Sequence, residues 1–129
     1  MVYADSTLFI FAAVEGEKAG RAQALLTEAM KNKQLSSSLL SLDEVAWVLS
    51  KPLGTEDALR ITENYLASGI IFREVTREVI INALQLAREF HLRPRDAIHV
   101  ATMRVAGETE IISDDSDFDR VRGIKRIPV

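Results

Sequence analysis

The sequence lacks cysteine altogether and contains few histidine, proline and aromatic residues. Its 129 residues include two histidines, three prolines and one tryptophan. Without cysteine the chain cannot form disulfides, zinc ribbons, a thiol nucleophile or an iron–sulfur site. With His91 and His99 as the only histidines, a catalytic zinc site would have to be rich in carboxylates. No P-loop and no GxGxxG motif is present, so the familiar phosphate-binding loops are excluded.

A long apolar segment is also missing. No run approaches the ~20 apolar residues that a membrane span requires. The N-terminus, MVYADSTLFIF, has no basic region and no small-residue cleavage site, and an aspartate interrupts its apolar run. We therefore expect no signal peptide, no membrane partner and a cytoplasmic location, with which the lack of cysteine agrees.

Neither sign of charge dominates the chain. The formal net charge is −3, which is not that of a generally basic nucleic-acid-coating protein. Residues 1–64 carry 6 basic and 9 acidic groups, whereas residues 65–129 carry 10 of each. Contact with a polyanion would thus require a local patch, for which the sequence offers Arg77, Arg88, Arg93, Arg95, Arg120 and Arg122.

Strand-like and helix-like segments alternate along the sequence. Short apolar runs predict strands at 2–4, 34–38, 70–75, 110–113 and 125–129. Helical spacing of apolar residues predicts helices at 8–14, 17–32, 41–49, 55–67, 76–90 and 94–106. This alternation predicts an α/β fold, a three-layer α/β/α sandwich around a mostly parallel sheet, in one domain of residues 1–129.

Two of these helices carry detailed expectations. Ser41-Leu-Asp-Glu44 fits a capping box, which would begin a helix that ends before Pro52. The helix that begins at Thr76 is expected to turn one face to the core, formed by Ile80, Ala83, Leu84, Ala87 and Phe90.

Carboxylates stand where several of the predicted elements meet. Asp5 follows the first strand, and the stretch SDDSDFDRV, residues 113–121, follows the fourth. Glu44 and Asp96 stand in the first turns of two predicted helices. Because ligands bind beyond the carboxyl ends of the strands in such sheets, these acids can converge at one edge. A hard divalent cation such as Mg²⁺ would relieve their mutual repulsion.

Each acid also has a purely structural explanation. Asp5 can cap the following helix, Glu44 can complete the capping box, and Asp96 can complement the helix dipole beside Pro94. The aspartate-rich stretch can be a solvated turn. Convergence of four segments, and the apolar flanks of Asp5 and Asp96, favour a shared site, because an unpaired buried carboxylate is costly.

Four segments resemble the PIN-domain family, and more narrowly the VapC-type toxin ribonucleases. They are YADSTLF, SLLSLDEVAWVL, RPRDAIHVATM and IISDDSDFDRVRGIKRI, in family order across almost the whole chain. The resemblance implies a small α/β/α domain whose acidic pocket binds Mg²⁺ or Mn²⁺. It also implies endonucleolytic cleavage of single-stranded RNA, often under inhibition by a co-encoded antitoxin.

By position, the resemblance assigns the core catalytic and metal-binding acids to Asp5, Glu44, Asp96 and Asp115. It makes Asp117 an auxiliary metal ligand and Asp114 a surface charge, since the acid three residues before Phe118 is the expected one. Ser6 or Thr7 would orient the first acid.

Other interpretations remain open at this point. The chain could be a PIN-like binding module without catalysis. A haloacid-dehalogenase-like phosphatase is a weaker alternative, because Thr7 stands where that family needs a second aspartate. His99, three residues after Asp96, can pack in the core or support a ligand. Trp47 can lie in a homodimer interface, as in the family, or in the core.

Overall fold

The computed structural model describes residues 1–32 and 34–129. Its strands are β1 (Val2–Ala4), β2 (Leu35–Ser38), β3 (Ile71–Arg73), β4 (Glu110–Ile112) and β5 (Lys125–Ile127). Its α-helices are α1 (Ser6–Ala13), α2 (Ala19–Lys31), α3 (Leu39–Leu53), α4 (Thr55–Leu66), α5 (Arg77–Phe90) and α6 (Pro94–Ala106), and a short 3-10 helix spans Ser116–Arg120. No helix in these described ranges is long and apolar enough to cross a membrane.

The strands form a parallel sheet with helices on both faces. Their order is β3-β2-β1-β4-β5, and every neighbouring pair is parallel. Tyr3 and Ile111 point to a core shared with α5 and α6. Ala4 and Ile112, the next residue of each strand, point to the core shared with α1 to α4, because successive side chains of a strand face opposite sides. The predicted three-layer α/β/α fold is confirmed.

The strand order determines at which edge of the sheet a ligand site can form. The chain builds β1, β2 and β3 toward one side of the sheet and then returns to add β4 on the other side of β1. Tyr3 pairs with Ile111 and Ala4 with Ile112, so the residues that follow both strands leave the sheet at the same edge. A crevice at such a switch point is the usual ligand site of open α/β sheets.

The prediction for the start and end of α3 is wrong. The helix begins at Leu39 and ends at Leu53, so Pro52 lies inside its last turn. Strand β2 runs directly into it, and the Ser38 hydroxyl accepts a hydrogen bond from the backbone N–H of Leu40 at 3.1 Å. Ser38 therefore caps the helix, and Leu53 is the one helical residue that follows Pro52.

This correction changes the meaning of Glu44. The Ser41 hydroxyl is buried and contacts the Ser37 hydroxyl at 2.8 Å instead of capping a helix. Glu44 is the sixth residue of α3 rather than the closing member of a capping box. Its structural explanation as a capping residue is thereby removed.

The prediction for the face of α5 is correct only in part. Val79, Ala83 and Leu86 are buried, and Ala87 and Phe90 pack against the same core. Ile80 and Leu84, which the apolar pattern also placed inside, are 37% and 53% exposed. Apolar residues extend around more of this helix than its packed stripe needs, so spacing alone could not separate the two faces.

Candidate active site

A pocket of about 500 Å³ opens where β1 and β4 end. It is lined by residues from the starts of α1 and α6, from α3 and from the turn after β4, namely Asp5, Ser6, Thr7, Glu44, Arg93, Pro94, Arg95, Asp96, His99 and Asp115. Four carboxylates from four separate segments therefore share one cavity.

Asp5 is held at the floor of the pocket by three donors. Its Oδ1 accepts from the backbone N–H of Thr7 at 3.0 Å and from the Thr7 hydroxyl at 2.6 Å. Its Oδ2 accepts from the Ser113 hydroxyl at 2.6 Å. Burial, at 4% exposure, is the main cause that raises the pKa of Asp5. The residue is thus the N-cap of α1, as predicted, and also a lining group of the pocket.

The turn after β4 is tied to the same residues. The Thr7 hydroxyl accepts from the backbone N–H of Asp114, and the Ser113 hydroxyl accepts from that of Asp115, both at 3.0 Å. Asp114 then turns away and forms an ion pair with Lys18, whereas Asp115 faces the pocket. The two adjacent aspartates therefore have different surroundings.

Asp96, Asp115 and Asp117 form the tightest group of acids. One carboxylate oxygen from each lies within 4.8 Å of the others. Asp117 also accepts a hydrogen bond from Arg120 at 2.9 Å. Within residues 1–32 and 34–129, Asp96 Oδ2 is buried without any hydrogen-bond partner. Burial, with the nearby charge of Asp115, raises the pKa of Asp96 to about 6.

These features fit a bound cation. A buried carboxylate oxygen normally has a partner, and Asp96 Oδ2 lacks one among the described residues. Oxygen donors of this kind suit Mg²⁺ or Mn²⁺. The trio of Asp96, Asp115 and Asp117 would supply the close ligands, and Asp5 and Glu44 line the same cavity as Asp96 and Asp115.

Glu44 reaches the pocket from α3 and is held by a histidine. Its Oε1 lies 3.0 Å from His99 Nε2. The other ring nitrogen, Nδ1, lies 2.7 Å from the Tyr3 hydroxyl. Burial raises the pKa of Tyr3 well above its usual value, so this phenol keeps its proton. His99 therefore both packs in the core and contacts a pocket acid.

The sequence predicted that the four acids meet at one place, but several residues that hold them or line the same pocket were missed. Ser113 and Tyr3 were not singled out, and Arg93 and Arg95 were only two of six candidate arginines. A signal for Ser113 was present, because a serine at a strand end followed by aspartates is typical of a side-chain-capped turn. Tyr3 gave no such signal, since it reads as an ordinary core residue.

A comparison with models of protein families shows which family the chain belongs to. The family model described as the PIN domain matches residues 2–124. The chain belongs to the PIN domain family. This confirms the family resemblance of the four sequence segments. No curated protein matches this PIN domain.

Solved structures show the same fold. Mycobacterium tuberculosis VapC20, described as a sarcin–ricin loop cleaving toxin, is 20% identical with a TM-score of 0.83, over 96% of this PIN domain and 97% of that chain. A toxin–antitoxin complex from Klebsiella pneumoniae is 22% identical with a TM-score of 0.72, over 97% and 96%. Rickettsia felis VapBC2 bound to promoter DNA is 13% identical with a TM-score of 0.78, over 99% and 98%. At these identities the likeness concerns the fold.

Proposed function

We propose that this PIN domain is a Mg²⁺- or Mn²⁺-dependent endoribonuclease that cleaves single-stranded RNA. The observation that carries the proposal is the group of Asp96, Asp115 and Asp117, in which Asp96 has a buried oxygen without a hydrogen-bond partner among the described residues. Like charges at this separation oppose one another unless a cation lies among them. The family resemblance and a VapC toxin of the same fold, described as cleaving the sarcin–ricin loop, support RNA as the substrate.

In this proposal the ion is held by Asp5, Glu44, Asp96 and Asp115, with Asp117 as an auxiliary ligand. When bound, such an ion lowers the pKa of a bound water and stabilises charge on a phosphoryl oxygen. The chain's own contribution is to fix the carboxylates: three donors hold Asp5, and His99 holds Glu44. A preorganised site of this kind favours charge stabilisation over side-chain nucleophilic chemistry.

The hydroxyl groups near Asp5 support hydrolysis by water. The Thr7 hydroxyl donates to Asp5 and accepts from the Asp114 N–H. The Ser113 hydroxyl donates to Asp5 and accepts from the Asp115 N–H. Among the contacts of the described residues, neither hydroxyl meets a histidine that would activate it as a nucleophile, and both ring nitrogens of His99 are engaged elsewhere.

Two arginines at the rim are suited to contact the RNA backbone. Arg93 and Arg95 line the pocket and are exposed at the start of α6. Neither forms an ion pair with any residue in the described part of the chain. Guanidinium groups bind phosphate through paired N–H donors. Arg120 is less available, since it donates to Asp117 and to the His91 carbonyl.

We further propose that the protein is the toxin of a toxin–antitoxin pair in the cytoplasm, with a co-encoded antitoxin as partner. Structures of the same fold include a toxin–antitoxin complex from Klebsiella pneumoniae and VapBC2 from Rickettsia felis. Trp47 is 70% exposed, so its alternative as a core residue is wrong. Val48, the next residue, is also exposed, and large exposed apolar side chains on one helix support a homodimer contact.

The alternatives are separated by one experiment. Membership of the PIN family argues against a haloacid-dehalogenase-like phosphatase. So does Thr7, which stands where that phosphatase family needs its second aspartate and whose hydroxyl is already engaged. A non-catalytic binding module would bind RNA without cleaving it. We expect the purified protein to cut a labelled single-stranded RNA with Mg²⁺ or Mn²⁺, to stop in EDTA and to resume when metal is restored.

The matched pair Asp115→Asn and Asp114→Asn serves as the control for that assay. Both substitutions remove one charge from the same turn, but Asp115 lines the pocket and Asp114 pairs with Lys18. We expect cleavage to be lost only in Asp115→Asn. Full cleavage in excess EDTA would refute metal dependence, and equal losses in the two variants would refute the assignment of Asp115.

A further inference from the structure

The buried His99 links the sheet to the acid on α3. It lies on α6, is 2% exposed and is packed edge-on against the rings of Tyr3 and Phe118. Its two nitrogens contact the Tyr3 hydroxyl at 2.7 Å and Glu44 Oε1 at 3.0 Å. A single buried ring thus joins three elements that are distant in sequence.

The chemistry of the two partners gives these contacts a direction. A carboxylate that holds a metal is ionised and can only accept a hydrogen bond, so in the proposed site His99 Nε2 carries a hydrogen and donates it to Glu44. In the neutral ring Nδ1 is then the acceptor, and the Tyr3 O–H donates to it. The hydrogen bond at one ring nitrogen therefore determines whether the other nitrogen donates or accepts. Outer hydrogen-bond partners orient the ligands of metal sites in the same way.

Glu44 needs such a support more than the other acids do. Its side chain has three rotatable bonds and enters the pocket part-exposed from α3. Asp5 is shorter and has three donors, whereas the hydrogen bond from His99 is the one that the described residues give Glu44. With Oε1 engaged by His99, Oε2 is the oxygen left for a metal.

We propose that His99 is a positioning residue that fixes Glu44 for metal binding, and that Tyr3 fixes the tautomer of the His99 ring. The proposal rests on the proposed function, in which the pocket is a metal centre. A purely structural histidine would stabilise the fold without any effect on metal affinity. Measurement of Mn²⁺ affinity therefore separates the two roles independently of RNA cleavage.

The test is isothermal titration of Mn²⁺ into wild-type protein and two amide variants. In His99→Asn the amide can replace Nδ1 toward Tyr3 but is too short to reach Glu44, and we expect the Kd to rise about 10- to 100-fold. In His99→Gln the longer amide can donate to Glu44, so the rise should stay below about tenfold. Thr102→Val is the matched control, because Thr102 is buried on the same helix and donates only to the Ile98 carbonyl.

A double-mutant cycle tests whether His99 acts through Glu44. Glu44→Gln alone should weaken Mn²⁺ binding, and the addition of His99→Asn should change the Kd by less than about twofold, since coupled residues are non-additive. A wild-type Kd in His99→Asn, or losses that multiply in the double variant, would overturn the proposal. Thr102→Val should lower thermal stability and keep the wild-type Kd.

A further variant covers a failure of His99→Asn to fold. Tyr3→Phe removes only the hydroxyl, so His99 Nδ1 loses its donor and the ring can adopt either tautomer. We expect the Kd for Mn²⁺ to rise several-fold, and an unchanged Kd would overturn the role of Tyr3. If wild-type protein fails to bind Mn²⁺ at all, the proposed metal centre itself is refuted. If the wild type binds Mn²⁺ and cleaves RNA but His99→Asn binds equally well, only the role of His99 is refuted.

Discussion

Replacement of Asp96 by asparagine should stabilise the metal-free protein and abolish the proposed RNA cleavage. Asp96 has a buried oxygen without a partner in the described residues, beside the carboxylate of Asp115. Asparagine keeps the shape and removes one negative charge, and its amide can donate to Asp115. Stability and activity should therefore change in opposite directions.

The magnitude follows from the pKa of Asp96. Burial and the charge of Asp115 raise this pKa from 3.8 to about 6. At about 1.4 kcal/mol per unit, a rise of about two units would correspond to about 3 kcal/mol for a fully buried group. Asp96 is only partly buried, so solvent screening reduces the expected gain for Asp96→Asn at pH 7.5 to about 1–2 kcal/mol.

The pH dependence has a definite sign. The folded state binds the Asp96 proton more tightly than the unfolded state, so ionisation of Asp96 destabilises the fold. The cost is absent well below pH 3.8, grows as the pH rises and is complete above about pH 6. At pH 4.5 the advantage of Asp96→Asn should fall to about a third of its value at pH 7.5.

The measurement is urea and thermal unfolding in EDTA at both pH values. A gain of 1–2 kcal/mol corresponds to a midpoint higher by about 3–8 °C for a domain of this size. Asp43→Asn is the charge-matched control, because Asp43 is exposed on α3, and its effect should stay within about 0.5 kcal/mol. An Asp96→Asn variant that is no more stable than wild type in EDTA, or that cleaves RNA at the wild-type rate, would refute the reasoning.

Three further predictions concern the ion, the support of Asp5 and the exposed tryptophan. Mn²⁺ at a hundredfold excess over its Kd should raise the free energy of unfolding by about 2.7 kcal/mol, and a melting curve indifferent to millimolar Mn²⁺ would contradict a clustered site. Thr7→Val removes a donor to Asp5 and an acceptor for the Asp114 N–H, so it should cost about 1–3 kcal/mol in urea unfolding; Thr7→Ser should recover most of this, and an equal cost in both variants would argue against the hydroxyl contacts. The proposed homodimer predicts that wild type sediments as a dimer and Trp47→Ala as a monomer at the same concentration, with monomer stability changed by less than about 0.5 kcal/mol; a monomeric wild type would refute the dimer, and an unchanged dimer in the variant would exclude Trp47 from the interface.

The architecture could be predicted because it depends on local patterns. Short apolar runs such as Val2–Ala4 became strands, and amphipathic segments between them became helices on both faces. The error at α3 arose because Ser38 and Ser41 both precede apolar residues, so either could begin a helix. In the structure β2 ends at Ser38 and the helix begins at the next residue, so Ser38 is the cap. A junction of this kind has no turn residue that would mark it in the sequence.

The candidate site could be predicted only as a set of segments. Strand ends and helix starts brought Asp5, Glu44, Asp96 and Asp115 to one cavity, because backbone topology alone fixes where they emerge. The supporting contacts join residues far apart: Ser113 and Asp5 are separated by 108 positions. Such contacts depend on side-chain conformations in the packed core; the turn at Ser113 has a local signal, but its contact with the distant Asp5 has none.

β4 pairs with β1 although it is synthesised much later. This strand order also determines at what point of synthesis the carboxylate pocket is complete. Asp5 and Glu44 are synthesised early, but Ser113 and Asp115 follow β4 near the other end of the chain. Until β4 is made, one edge of β1 is unpaired and Asp5 lacks the Ser113 donor. A nascent chain on the ribosome therefore carries only part of the carboxylate pocket, and the complete pocket appears only when β4 and the turn that follows it have been added.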